Sequence, residues 1–514
     1  CMKRFLSTAF LAVSLAVTPL CFAAPPRAVV KPGIEVLRES HFAPLKGKRV
    51  GLVTNPSGVD RHLKSTIDIL FEAPEVELVA RFGPEHGVRG DAYAGSHVGN
   101  STDAATGLPV YSLYGKTREP SIHRIHAYPA KFPAFITSKA VQRARRSGLH
   151  VRTVADIFCG CGTTAYESRK LGLEFWGCDI NPVAVLIARV KSNAYDTKRL
   201  GTLFRKIVGQ FKKSNFESVS LEDLPPRLRY WYHDPDAQEL KTLLSAIRAN
   251  TVEGKYRDFF LCAFSNILKA VSKWLTKSIK PQIDPLKQRV SVLRSFEEQV
   301  NLMIKAIADN PIDARPVRTI RRDNVLTANI PESFADIVVT SPPYVTSYEY
   351  ADLHQLSSLW LGYAADYRDL REGAIGSVHR FEEVPGNTNL NAIGNAIVSN
   401  LTKVGSSKAK TTARYFSDMR TIASRCRSIL RPGGMVFFVI GDTEYKGVKV
   451  SNSAYLRSCL REEGFVGIKM EKRKITGKNL SPYRTDDGKF SSNPHDKKIY
   501  AEEFVLTGRK PDHE

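Results

Sequence analysis

Residues 151–182 restrict the fold of this chain more than any other stretch. Val151-Arg152-Thr153-Val154-Ala155-Asp156 has the apolar character of a buried strand and runs into Ile157-Phe158-Cys159-Gly160-Cys161-Gly162. Thr163 then opens a helix-compatible stretch that continues to Lys170, and a second apolar run, Glu174-Phe175-Trp176-Gly177-Cys178, ends at Asp179-Ile180-Asn181-Pro182. Strand, glycine loop, helix and strand in this order form one crossover of a parallel sheet, so an α/β fold follows. Glycines are needed where backbone must approach a ligand closely or adopt angles that a side chain forbids. The helix after such a loop offers free amide hydrogens to an anionic group. An acidic residue at the tip of the next strand is placed to accept both hydroxyls of a ribose. Each feature also has a plainer reading: the Gly-x-Gly turn can be merely tight, and Asp179 can cap the helix that starts at Pro182.

A second strand tip carries different chemistry. Ala335–Thr340 reads as a compact buried strand and delivers Ser341-Pro342-Pro343-Tyr344 at its carboxyl end, the edge where open α/β sheets place their ligands. An exocyclic amino group on cytosine or adenine is a poor nucleophile, because its lone pair is delocalised into the ring. The Ser341 hydroxyl oxygen and the Pro342 carbonyl can accept its two hydrogens and favour a tetrahedral nitrogen whose lone pair is free to attack. Paired prolines hold the backbone so that this carbonyl faces inward. Tyr344 offers a flat face to a base rotated out of a duplex. A Pro-Pro turn after a strand can also be only structural; the glycine loop and the acidic strand end make the chemical reading the stronger one.

Other segments complete the chain. His126-Ala-Tyr128-Pro-Ala-Lys131-Phe-Pro133 cannot be an interior helix and reads as a structured approach to the first helix. Lys131 there either pairs with a ligand carboxylate or faces solvent. Asp323, at the end of the strand candidate 317–322, is either a ligand contact or a surface aspartate. Residues 195–310 are mostly helical by periodicity, with Lys/Arg-rich faces, and read as an inserted subdomain that either contacts a target or serves as scaffold. Residues 365–412, polar and rich in Gly, Asn, Ser and Lys, read as a mobile loop over the substrate groove. Arg431-Pro-Gly-Gly434 turns into the buried strand candidate Met435–Ile440, and Phe465–Met470 and Glu502–Leu506 supply two more strands.

Charge separates the two ends of the chain. The whole carries a formal +23, of which residues 1–120 contribute only 14 Lys+Arg against 11 Asp+Glu. The remaining net +20 suits a polyanionic partner, since neutralising phosphates releases counterions. The eight cysteines include no pairs at zinc-ligand spacing, so no metal site and no disulfide framework are expected. Met2-Lys3-Arg4, an apolar stretch from Phe5 to Leu20 and small residues to Ala24 read as a secretory leader, too short for a membrane span. That leader predicts export, in conflict with a body that reads as a reducing-compartment protein.

The sequence resembles two families. Gly33-Ile-Glu-Val-Leu37, Gly51–Gly58, Phe82–Gly90 and Gly107–Gly115 resemble the N-terminal part of the exo-β-N-acetylmuramidase family, without its later residues. That resemblance implies an active-site role for Glu85 and His86, although a carboxylate in a turn can simply bond nearby amides. Through His126–Pro133, Phe158–Thr164, Asp179–Pro182, Ser341–Tyr344 and the closing strands, residues 122–507 resemble bacterial amino-directed DNA methyltransferases of the N4-cytosine/N6-adenine type. This implies a Rossmann-like methyltransferase fold: a mostly parallel seven-stranded sheet with a C-terminal antiparallel hairpin, an inserted helical subdomain and a truncated α/β fragment in front. It also implies S-adenosylmethionine as methyl donor and duplex DNA with a flipped base as partner, without a metal and with no membrane role beyond the leader. Donor contacts would come from Tyr128, Lys131, Asp156, Phe158, Gly160, Gly162, Thr163, Asp179, Asn181 and Asp323, and target contacts from Ser341, Pro342, Pro343 and Tyr344. Serine as the first residue of the tetrapeptide favours N4-cytosine over N6-adenine. The covalent route of 5-methylcytosine enzymes lacks its nucleophile, since the sequence has no Pro-Cys dipeptide. The alternatives are an RNA amino-group methyltransferase and an exported muramidase fragment. The expected organisation is a leader (1–24), a muramidase-like fragment (25–120), a donor-binding half (121–194), a helical insertion (195–310) and a catalytic half (311–514), with the methyltransferase part in the cytoplasm.

Overall fold

A strand that is apolar on both sides must be covered on both faces, and the sheet at the centre of this protein is built from such strands. The computed structural model describes residues 30–83, 88–89, 101–112, 119–128, 131–276, 278, 280–313, 318–345, 350–376, 390–474, 483–484, 490–491, 497–498 and 502–513. The leader and the Glu85-His86 pair lie outside the described residues. The chain divides into two units, Cys1–Arg118 and Glu119–Glu514.

In the first unit, α1 (Gly33–Glu39), β1 (Arg49–Val53), α2 (Thr66–Glu72), β2 (Glu77–Gly83), β3 (Ser101–Thr102) and β4 (Pro109–Ser112) form a sheet of order β1-β2-β4-β3. β1, β2 and β4 are parallel, and β3 runs antiparallel to β4. Ile34, Phe42, Ile69 and Leu70 are buried in its core. The Arg81 guanidinium is fully buried and donates to Asp103 at 2.6 Å.

The second unit begins with α3 (Phe135–Arg146), β5 (Thr153–Asp156), α4 (Thr163–Lys170), β6 (Glu174–Asp179) and α5 (Pro182–Lys191). Five helices follow before the next strand: α6 (Thr197–Lys213), α7 (Pro226–Trp231), α8 (Asp234–Asn250), α9 (Lys255–Val271) and α10 (Val292–Ala308). The chain then returns to the sheet in β7 (Arg318–Arg322) and β8 (Ala335–Thr340) and continues through α11 (Tyr350–Leu353), α12 (Gln355–Trp360), α13 (Ala392–Val404) and α14 (Ser406–Ile429). It ends with β9 (Leu430–Ile440), the hairpin β10 (Thr443–Tyr445) and β11 (Val448–Val450), α15 (Asn452–Glu462), β12 (Val466–Lys474), three two-residue strands β13 (Tyr483–Arg484), β14 (Phe490–Ser491) and β15 (Lys497–Lys498), and β16 (Glu502–Arg509).

The main sheet has the order β12-β16-β9-β8-β5-β6-β7. Its inner neighbours are parallel, while β16 pairs antiparallel with both β9 and β12. This is the mostly parallel seven-stranded sheet with a terminal antiparallel hairpin that the sequence leads one to expect. Every residue of β5 and of β8 is buried. Asp336 locks the start of the sheet, accepting from the Arg152 and Thr153 amides at 2.7 and 2.8 Å and from Arg431 at 2.9 Å. From β5 the chain steps outward to β6 and β7, then returns to lay β8 on the other side of β5. The direction of winding therefore reverses between β5 and β8, and a reversal of this kind opens a crevice at the carboxyl ends of the strands.

The helices α6–α10 between β6 and β7 share a core with α5 and α12, in which Phe259, Phe260, Phe264 and Phe296 are fully buried and Trp231 stacks on Trp274 at 5.0 Å. The stretch 365–412 departs from the expected mobile loop. A 3-10 turn (Tyr367–Arg371), α13 and the start of α14 fall within it, while 377–389 lie outside the described residues. Gly394, Ile397 and Leu401 are buried on α13, and Ala409, Ala413 and Phe416 on α14. That three-and-four spacing is an amphipathic helix signal, and the polar residues around it had masked it. Among the described residues no helix is long and apolar enough to cross a membrane. Their cysteines, Cys159, Cys161, Cys178, Cys262, Cys426 and Cys459, are all buried and unbridged.

Candidate active site

The crevice between the β5 and β8 tips is a cavity, and residues from both tips line it. On one side the chain leaves β5 at Asp156 and enters α4 at Gly162. Gly160 adopts φ +48 and Gly162 φ +75, a region that side chains rarely enter. The two glycines do different things. Gly160 lies on the cavity wall, where an added Cβ would meet the Tyr128 ring at 3.6 Å. Gly162 is not on the wall; a Cβ there would come within 2.6 Å of Ala188 Cα, so its role is to let α4 pack on α5.

Asp179, at the tip of β6, holds this side together. Its Oδ2 accepts from the Gly160 amide at 2.8 Å and its Oδ1 from the Asn181 amide at 2.9 Å. Burial raises its pKa, opposed by those two bonds. Each oxygen retains acceptor capacity toward the cavity that the residue lines. Asn181 Oδ1 caps α5 through the Val183 amide at 3.0 Å, so its amide nitrogen points the other way and meets His354 Nδ1 at 3.0 Å. The amide nitrogen can only donate, so His354 Nδ1 accepts. That ring stacks on Tyr128 with centroids 5.2 Å apart. Phe158 and Thr163 also line the cavity. Lys131 does too, but its ammonium is held by Glu119 at 2.7 Å and the His123 carbonyl at 2.6 Å. Pairing with a ligand carboxylate, as the sequence led one to expect, would have to compete with Glu119.

Asp156 stands behind the wall. It is 1% exposed, and its Oδ1 accepts from Thr340 Oγ1 at 2.6 Å and from the Phe158 amide at 3.1 Å, which ties the β5 loop to β8. Burial pushes its pKa up to about 6 despite those bonds. The folded state therefore keeps a proton that the unfolded chain releases near pH 4, so Asp156 costs stability as pH rises from about 4 to 6. Asp156→Asn keeps the accepting oxygen and removes the charge. Its stability relative to the native chain is expected to rise by about 2 kcal/mol between pH 4 and pH 7. Urea midpoints of both proteins across that range give the difference. Comparing the two cancels His123 and His126, whose burial pushes their pKa values down to about 2 and about 3 and whose effect on stability has the opposite sign. A flat difference curve contradicts the account.

Asp323 lies beside the cavity rather than on it. Its amide donates to the Asp179 carbonyl at 3.1 Å, and its Oδ1 accepts from the next amide at 2.9 Å. Of the two readings, ligand contact or surface aspartate, the structure shows its Oδ1 bonded within the β7 turn.

On the other side β8 delivers Ser341, Pro343 and Tyr344 to the cavity, while Pro342 is buried and does not line it. Ser341 Oγ donates to the Val439 carbonyl on β9 at 2.9 Å. Its one hydrogen is thus spent inside the protein, and the oxygen is left as an acceptor. Gly441, just past β9, makes room for the Tyr344 ring, which an added Cβ would meet at 2.8 Å. The cavity is closed by Leu370–Gly376, where the Gly376 amide donates to Asp418 on α14 at 2.9 Å, and by Lys408, Thr411 and Tyr415 of α14. Sequence reasoning missed His354, Gly441 and this α14 face. The amphipathic spacing of 406–429 could have revealed the last, and nothing local marks the other two.

Among the described residues no group of three or more His, Cys, Asp or Glu side chains could hold a metal ion. Comparison with known proteins finds two unrelated likenesses. The family model "Exo-beta-N-acetylmuramidase NamZ, N-terminal" matches residues 50–128. Over 92 residues the chain is 59% identical to the peptidoglycan beta-N-acetylmuramidase NamZ of Bacillus subtilis (strain 168), covering 18% of this chain and 22% of that protein. It thus spans only about a fifth of that relative's length. Over 409 residues it is 21% identical to the type II methyltransferase M.MvaI of Kocuria varians, covering 72% of this chain and 88% of that one. It is 24% identical over 290 residues to the type II methyltransferase M.BsoBI of Geobacillus stearothermophilus, covering 50% and 56%.

Proposed function

We propose that the second unit is an S-adenosylmethionine-dependent DNA methyltransferase acting on an exocyclic amino nitrogen, with N4 of cytosine favoured over N6 of adenine. The observation that carries this is one cavity shared by two strand tips: a glycine loop with a strand-end carboxylate on one side, and Ser341, Pro343 and Tyr344 of the Ser-Pro-Pro-Tyr turn on the other. The likeness to type II methyltransferases over 72% of the chain supports it. The net +20 outside the first 120 residues fits a DNA partner, and Lys198, Arg199, Arg205 and Lys206 lie exposed along α6.

The donor fits the first side. Asp179 can accept ribose hydroxyls, and Gly160 lets that ligand approach the loop. The α4 amides face an anionic group, while Phe158, Tyr128 and Asn181 border the space. When bound, it supplies an electrophilic methyl group. The chain's own part is to prepare the nucleophile. Ser341 Oγ accepts an amino hydrogen, draws the nitrogen out of conjugation and aims its lone pair, and Tyr344 holds the flipped ring by its face. The α6–α10 insertion is the part that reads the target sequence, and the site of action is the cytoplasm, where donor and DNA are found.

The test is co-expression of the chain with a plasmid in a host free of DNA methylation, followed by single-molecule sequencing. One short motif bearing N4-methylcytosine is expected. N6-methyladenine at the motif would overturn the choice of base, and unmarked DNA would overturn the reading.

A further inference from the structure

The hydroxyl of Tyr415 is a buried polar group that the proposed chemistry does not use. Tyr415 is 2% exposed and lines the cavity, and its Oη has no hydrogen-bond partner among the described residues. A buried hydroxyl left without a partner is costly to the folded state, so a group of this kind facing a cavity marks where a ligand atom completes the bond. Burial keeps the phenol protonated. Ser341, Pro343 and Tyr344 line the same cavity as Tyr415. The α14 backbone is fixed there from two directions. An added Cβ on Gly376 would meet Tyr415 Cβ at 3.0 Å, and Asp418, one turn further on, holds the Gly376 amide.

We infer that Tyr415 is a specificity-determining residue that donates a hydrogen bond to the ring nitrogen next to the amino-bearing carbon of the target base. This rests on the function proposed above. One acceptor, Ser341 Oγ, and one donor, Tyr415 Oη, on residues that line the same cavity complement an edge that presents an amino group next to a bare ring nitrogen. Cytosine and adenine have that edge. Thymine and guanine present a carbonyl next to a ring N–H, which would set acceptor against acceptor and donor against donor. The Tyr415 hydroxyl therefore rejects keto bases, a selection that a flat stacking face cannot make.

The experiment is a cycle on the full chain, with duplexes whose target base is either natural or has that one ring nitrogen replaced by C–H. Tyr415→Phe is expected to lower kcat/KM for the natural duplex by about 10- to 100-fold. The native protein should lose a similar factor on the altered duplex, and the variant should lose no more on the altered duplex than on the natural one. Donor affinity by calorimetry and the unfolding temperature of the free protein should not fall, since the hydroxyl has no partner to lose among the described residues. Multiplying losses, a weakened donor site or a destabilised free protein each overturn the inference. If the native chain binds the donor yet methylates no duplex, the failure lies with the proposed function, and this inference falls with it.

Discussion

Ser341→Ala is expected to lower methyl transfer by at least about 100-fold while donor affinity changes by less than about twofold. The Ser341 oxygen is available to an amino group because its hydrogen is engaged by the Val439 carbonyl. Alanine removes that acceptor and leaves one amino hydrogen unmatched, so the nitrogen lone pair stays delocalised. The lost hydrogen bond to Val439 should cost the fold only about 1 kcal/mol, so loss of activity can be separated from loss of folded protein. Transfer of labelled methyl to duplex DNA, with calorimetric titration of the donor, measures both quantities. Turnover within threefold of native would place the chemistry elsewhere.

Asp179→Ala should do the reverse, with donor affinity falling by at least about 100-fold. The carboxylate has two duties, and alanine ends both. It accepts the Gly160 and Asn181 amides, which fixes the β5 loop against the β6 tip. Its remaining acceptor capacity faces the cavity. Without it, two backbone donors lose their partners where the loop must keep its shape. Asp179→Asn retains one acceptor and should fall between the two. Calorimetry on the free protein decides; unchanged donor affinity in the alanine variant would show that Asp179 is only a cap.

The sequence made the sheet and the two strand tips legible, because glycine, proline and a strand-end acid are chosen by local geometry. It did not show which side of the wall a motif residue takes. Asp156, Gly162 and Asp323 sit in the right motifs, yet the first ties two strands, the second admits a neighbouring helix and the third bonds within a turn. That distinction depends on how α4, α5 and β8 pack, and packing is not written in a short motif. Tyr415 was hidden for a related reason. It lies on a 24-residue helix, and only the docking of that helix decides which of its faces meets the cavity. The polar stretch before it read as a loop because composition was weighed over spacing.

The order of the sheet has a consequence for how such a protein can change. The chain leaves at the β6 tip, passes through α5, builds five helices that pack with it, and rejoins at β7, which among the described residues is an edge strand paired with β6. Lengthening or shortening such an excursion costs little, because closing a loop becomes harder only with the logarithm of its length. The segment can therefore be exchanged or enlarged while the β5 and β8 tips keep their spacing. Under the proposed function, in which this segment reads the target, such an exchange would change the DNA sequence preferred without rebuilding the machinery for transfer.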